Sequence, residues 1–188
     1  MRKVFGVGIN DLGTSSELVD GKRTQTKVYT RWKDMLRRCY DPKYQSTKPS
    51  YVGCVVCDEW LILSVFKEWF DDNHKEDHEL DKDILSEGCK IYSPDTCSFV
   101  PKDVNVFLLD RGVSRKGGLS GTKRHGNKFQ ATCHDPLSSK RLYIGTFSTP
   151  EEAHEAWKKK KHEFALTLCE EYPTMDERIK ERLSTMYL

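Results

Sequence analysis

The sequence predicts an α+β protein of two small domains, and three observations carry that prediction. Helical and strand-like stretches alternate up to about residue 110, a hairpin backed by a basic helix occupies residues 121–157, and a glycine-rich basic stretch, 111–117, separates the two. A chain of 188 residues, 37% hydrophobic and 32% charged, can build two such cores. No apolar run approaches the ~20 residues that cross a bilayer, and Met1-Arg2-Lys3-Val4-Phe5-Gly6-Val7-Gly8 has no secretory apolar stretch. The seven cysteines, an odd number without a secretory signal, are expected as free thiols in a reducing cytoplasm.

Residues 1–27 read as an irregular arm with room for one short strand, because glycine, serine and threonine interrupt any apolar period. The first domain, 28–110, opens with a helix whose Val28, Trp32, Met35, Leu36 and Cys39 share one face, stopped by Asp41-Pro42. Tyr51-Val52-Gly53-Cys54-Val55-Val56-Cys57 reads as strand, and Val65, Phe66, Trp69 and Phe70 mark a second amphipathic helix. Cys54-x-x-Cys57 has zinc-knuckle spacing but no second pair, so these thiols are expected to pack as small hydrophobes and structural zinc is not expected. Leu80 to Leu109 reads as strand, loop, strand and helix, with Pro101 in the first helical turn and Asn105 one turn further. Folded as a short ββα unit, this would bring Asn105 and Asp81 to one divalent cation able to clamp a scissile phosphate.

The second domain, 118–170, follows the linker. Along Lys128-Phe129-Gln130-Ala131-Thr132-Cys133-His134 the residues Phe129, Ala131 and Cys133 alternate with Lys128, Gln130, Thr132 and His134, a period of two with one buried and one wet face. After Asp135-Pro136-Leu137-Ser138-Ser139, a second strand is expected to turn Leu142 and Ile144 inward and Arg141 and Tyr143 outward. A first strand is expected within Leu119–Lys123. Ser148-Thr149-Pro150-Glu151-Glu152 carries a cap, a first-turn proline and two acids that oppose the helix dipole, so a helix starts there. Ala153, Ala156, Trp157, Lys160 and Phe164 form its inward stripe, leaving Lys158, Lys159 and Lys161 to solvent. The tail, 171–188, closes with a short helix on Ile179 and Leu183.

Charge is concentrated rather than large. The whole chain carries only +2, but residues 111–161 hold 12 basic and 4 acidic residues, a net of +8. A basic unit of that kind is the electrostatic footprint of phosphate contact.

Gly121, Lys128-Phe129, Ala131, Asp135-Pro136, Gly145-Thr146-Phe147, Thr149-Pro150-Glu151-Glu152-Ala153 and Ala156-Trp157 together resemble the ethylene-response-factor, or Apetala-two, DNA-binding domain, over about a quarter of the chain. The resemblance implies a three-stranded antiparallel sheet packed on one helix, with its outer face on the major groove of double-stranded DNA. Carried over by position, it names Lys123, His125, Lys128, Thr132, His134, Arg141 and Tyr143 as DNA-binding candidates. A family glutamate falls at Thr132 and several family arginines fall at lysine or histidine, so the plant target sequence is not carried over.

The first domain has a resemblance of its own. Arg31-Trp32-x-x-Met35-x-x-Arg38-Cys39, Tyr51-x-Gly53, Val56-Cys57-x-x-Trp60, Leu80-Asp81-Lys82-Asp83, Tyr92-Ser93-Pro94-Asp95-Thr96-Cys97 and Asn105 are similar to phage homing endonucleases of the HNH type, many of which join a ββα-metal (His-Me finger) nuclease half to an Apetala-two half. The resemblance implies a DNA endonuclease that hydrolyses phosphodiesters with one Mg2+ or Mn2+ held by Asp81 and Asn105, acting in the cytoplasm of a bacterial host. Lys82 stands where the family has its general-base histidine and Thr96 where it has its middle asparagine. A lysine, with an ordinary pKa of about 10.4, is a poor base near neutrality. Asp83, His74 and His78 are the alternatives. The catalytic candidates are therefore Asp81, Lys82, Asp83 and Asn105. The leading expectation is a phage or mobile-element endonuclease, and the alternative is a catalytically inactive DNA-binding protein or transcriptional repressor descended from one.

Overall fold

A computed structural model of the chain describes residues 3–86, 88–109 and 118–188, so the expected linker at 111–117 lies outside the described residues. The architecture is mixed α+β, built of small sheets and helices. In chain order the elements are β1 (Ser16–Val19), β2 (Lys22–Gln25), α1 (Lys27–Tyr40), α2 (Pro42–Thr47), β3 (Val55–Val56), α3 (Leu63–Asn73), β4 (His78–Asp81), β5 (Ile91–Tyr92), β6 (Ser98–Pro101), α4 (Lys102–Leu109), β7 (Thr122–His125), β8 (Lys128–His134), β9 (Arg141–Phe147), α5 (Pro150–Glu171) and α6 (Glu177–Thr185). Two compact units emerge: Met1–Glu76 with Leu80–Phe99, and Asp77–Glu79 with Val100–Leu188.

The first unit is organised by α1 and α3. Thr26 caps α1 by accepting the Tyr29 N–H, and Trp32, Met35, Leu36 and Cys39 go inside as their spacing requires, with Val28 half-buried. They meet Trp60, Leu63, Phe66, Phe70, Tyr92, Cys97 and Phe99. The Trp32 indole N–H donates to the Trp60 carbonyl at 2.7 Å, which satisfies the polar atom of a side chain with no exposed surface. Two expectations are corrected here. The stretch 51–57 is mostly turn: Pro49–Tyr51 forms a 3-10 turn, and only Val55–Val56 is strand, paired parallel with Ile91–Tyr92. The arm holds two strands, not one, because Asp20 and Gly21 both adopt positive φ (49° and 74°) and close a tight hairpin between β1 and β2.

In the stretch 80–109, β4 and β6 pair in a two-stranded sheet and α4 follows β6 directly, in the expected strand, strand, helix order; α4 groups with the second unit and β4 is divided between the two.

In the second unit β7, β8 and β9 form one antiparallel sheet with β8 in the centre. The first strand begins at Thr122, three residues later than expected. Helix α5 lies behind the sheet, started by a full capping box in which Glu152 N–H bonds to the Thr149 hydroxyl and the Glu152 carboxylate returns to the Thr149 N–H. Its buried stripe is Ala153, Trp157, Lys161, Ala165 and Leu168. Lys161, expected in solvent, is thus fully buried, while Lys160 is only partly covered and bonds to Glu163. The four-residue step from Trp157 places Lys161 directly over it. There its ammonium lies 3.7 Å from the Phe107 ring centroid, near the Trp157 and Tyr187 rings, and donates to the Phe107 carbonyl at 3.2 Å. A buried cation is tolerable when aromatic faces and a carbonyl near the negative end of a helix surround it. Helix α6 closes the unit with Ile179 and Leu183 buried, as their spacing implies.

Candidate nucleic-acid interface

The register of the sheet decides which side chains share a face. Lys123 pairs with Gln130, His125 with Lys128, Gln130 with Thr146, Thr132 with Tyr143 and His134 with Arg141. Directly opposed residues in an antiparallel pair point the same way. The core takes Phe129, Ala131 and Cys133 from β8, so the complementary set, Lys128, Gln130, Thr132 and His134, lies on the outer face. Lys123, His125, Lys128, Thr132, His134, Arg141 and Tyr143 therefore form one surface, and Gln130 and Thr146 belong to it as well.

A β-bulge makes this possible. Ala131 opposes Gly145 but Thr132 opposes Tyr143, leaving Ile144 as the extra residue of β9. Strict alternation from Arg141 would send Phe147 outward. The extra residue resets the phase, so Phe147 packs inward beside Phe129 and Thr146 turns outward. Leu142, expected to be buried, lies opposite Cys133 but near the sheet's end and keeps 37% of its surface exposed. Ile144 is half-buried against the core.

Local bonds hold the outer side chains in place. Arg141 donates through Nε (3.3 Å) and Nη2 (2.9 Å) to the Thr132 hydroxyl, laying the guanidinium across the two strands. Tyr143 Oη and Thr146 Oγ1 are 2.7 Å apart, a bond along β9 that only two residues on the same face can make. The β8–β9 turn is tied by Asp135, whose carboxylate accepts the Ser138 hydroxyl at 2.7 Å and the Leu137 and Ser138 N–H groups. Those bonds, the Ser138 hydroxyl first, hold its pKa below the ordinary carboxylate value. Their support is present above that ordinary value and fades as pH falls through the lowered one.

Behind the sheet, Gly121 passes over the Trp157 indole with φ of +75°, and a Cβ there would fall 2.0 Å from Trp157 Cγ. The His154 ring stacks on Trp157 and its Nδ1 donates to the Ser120 carbonyl at 2.8 Å, fixing the entry to β7.

The residues expected to catalyse are engaged otherwise. Asp81 Oδ1 accepts the N–H groups of Asp83 (2.9 Å) and Ile84 (2.8 Å), closing a local turn. Burial raises its pKa, against those two bonds, so its site disfavours the charged carboxylate. Lys82 is buried, with its ammonium against Asp83, bonded to the Cys89 carbonyl at 3.0 Å and 5.8 Å from the Tyr92 ring centroid. The ammonium is thus spent inside the first unit rather than presented to a phosphate. Asn105 donates its amide to Glu79 Oε2 at 2.5 Å, and both belong to the second unit, whereas Asp81 belongs to the first. Among the described residues no three His, Cys, Asp or Glu side chains gather as a cation site requires.

The contact candidates carried over by resemblance leave out Gln130 and Thr146, although the period of two already puts Gln130 on the outer face. Thr146 was hidden by the bulge.

Over 48 residues, 25% of this chain, the protein is 46% identical to the ethylene-responsive transcription factor ERF117 of Arabidopsis thaliana. The match covers 15% of that protein's length, so the likeness is to one segment of it. No family model matches the chain, and no solved structure matches it. Among the described residues, no helix is long and apolar enough to cross a membrane.

Proposed function

We propose that this chain is a DNA-binding protein without nuclease activity, and that it engages duplex DNA through the outer face of β7, β8 and β9. The observation that carries the reading is the register. It supports the reading with three cationic side chains, Lys123, Lys128 and Arg141, on one surface with three hydroxyl groups and two imidazoles, while the apolar side of the same strands packs on α5. The similarity to a transcription factor over a segment of this size supports it. Cations of this kind neutralise phosphates, while hydroxyl, amide and guanidinium groups reach base edges in the major groove. The repressor-like reading is favoured over the endonuclease because Asp81, Lys82 and Asn105 are committed to bonds within their own units.

One pair of measurements tests both halves. Binding of the full chain to a fluorescent 20–30-base-pair duplex is expected to weaken by roughly tenfold or more between 50 and 200 mM salt, since each phosphate neutralised adds about one to the salt slope. Supercoiled plasmid incubated with the protein and Mg2+ or Mn2+ is expected to stay supercoiled. Salt-insensitive binding, or none, would remove the DNA reading. Nicked circles that disappear in Asp81→Ala would restore the endonuclease.

A further inference from the structure

We infer that Gln130 is the base-reading residue of this surface and that its preferred partner is adenine in the major groove. The inference rests on the DNA-binding reading above and deepens it.

Across the outer face, Lys123, Gln130 and Thr146 form a row that draws one side chain from each of the three strands. The next row has Thr132 and Tyr143, with Gly121 in place of a third side chain, since the Thr132 N–H bonds to the Gly121 carbonyl. His125–Lys128 and His134–Arg141 lie towards the ends. Gln130 is consequently on the central strand and flanked on both sides, where a surface laid into a groove reaches deepest.

Pairing points the same way. Thr132 accepts from Arg141, and Tyr143 is bonded to Thr146. Among the described residues the Gln130 side chain takes no hydrogen bond of its own, although its backbone is held in the ladder on both sides. The strand is rigid and the amide is uncommitted, as a base-reading group needs to be.

Chemistry selects the base. A carboxamide offers one acceptor oxygen and one donor nitrogen side by side, which matches adenine N6–H and N7 in the major groove. Guanine presents two acceptors there and cytosine a donor, so the amide makes at most one bond to either. Lys123 on one flank is suited to hold phosphate while the amide reads.

The test uses the full-length chain and a randomised duplex library. Sequences enriched by the wild-type protein are expected to contain one position that is adenine, with affinity falling roughly tenfold or more when that adenine is changed, or replaced by 7-deaza-adenine, which lacks the N7 acceptor. Gln130→Ala should flatten the preference at that position alone and retain binding to the library. Gln130→Glu, nearly isosteric and unable to donate, should lose adenine as well, and circular dichroism of both variants should match the wild type. A wild-type protein that binds the library with no adenine position, or one whose adenine preference survives both substitutions, would overturn the assignment of Gln130 alone. A wild-type protein that binds no duplex would overturn the assignment together with the function beneath it.

Discussion

Arg141→Ala combined with Tyr143→Ala is expected to abolish most DNA binding and leave the fold intact. Tyr143 keeps 58% of its surface exposed and Arg141 is exposed too, so neither contributes to the core that Ala131, Cys133, Ala153 and Trp157 form on the opposite side. The loss comes from two sources. Arg141 is a cation whose guanidinium is already oriented by Thr132, so little rotamer freedom remains to be lost on binding. Tyr143 is held by Thr146 and presents a flat ring beside it. At about 1–3 kcal/mol for each good contact, the double change should weaken binding by roughly 30- to 20,000-fold. Titration of a labelled duplex measures it, and thermal melting checks the fold. Undiminished affinity in a folded double variant would mean that DNA lies on another surface.

Gly121→Ala is expected to destabilise the second unit strongly. The new methyl group would sit 2.0 Å from Trp157 Cγ and 2.1 Å from Cδ1, far inside contact distance, at a φ of +75° that alanine resists. Trp157 has no room to yield: the Tyr187 ring meets it edge-on at 5.5 Å, the His154 ring stacks on it, and it is 3% exposed. Overpacking and the left-handed backbone together cost roughly 2–5 kcal/mol. Small domains hold only about 5–15 kcal/mol in all. Urea unfolding followed by tryptophan fluorescence should show an earlier transition for the second unit. An unchanged midpoint would mean that β7 does not pack on this indole.

The elements that were legible from the sequence share a strong period. Helix α1 was readable because four large side chains recur on one face, and β8 because apolar and polar residues alternate without a break. The outer surface followed from β8 by simple alternation. Where two signals compete, reading fails. In α5 the run Lys158-Lys159-Lys160-Lys161 looks uniformly wet, yet Phe107, Trp157 and Tyr187 converge from three separate places around one lysine that lies inside. In β9 the sequence does not say that Ile144 is supernumerary, because the opposing strand decides that. The β1–β2 hairpin carries an Asp-Gly turn signal, but its strands are exposed almost throughout and so lack the apolar alternation that would have flagged them. Around the nuclease-like motif the sequence does not show the local bonds: Asp81 closes a turn onto Asp83 and Ile84, and the Asn105 amide donates to Glu79.

Lys161 gives the molecule an internal gauge. An amine-acylating reagent applied to the native protein meets a dense population of surface ammonium groups but has no path to this one, which has no exposed surface. Peptide mapping after timed labelling should find residue 161 lagging behind its three neighbours in the run. The rate at which it finally reacts reports how often the aromatic cover formed by Phe107, Trp157 and Tyr187 opens.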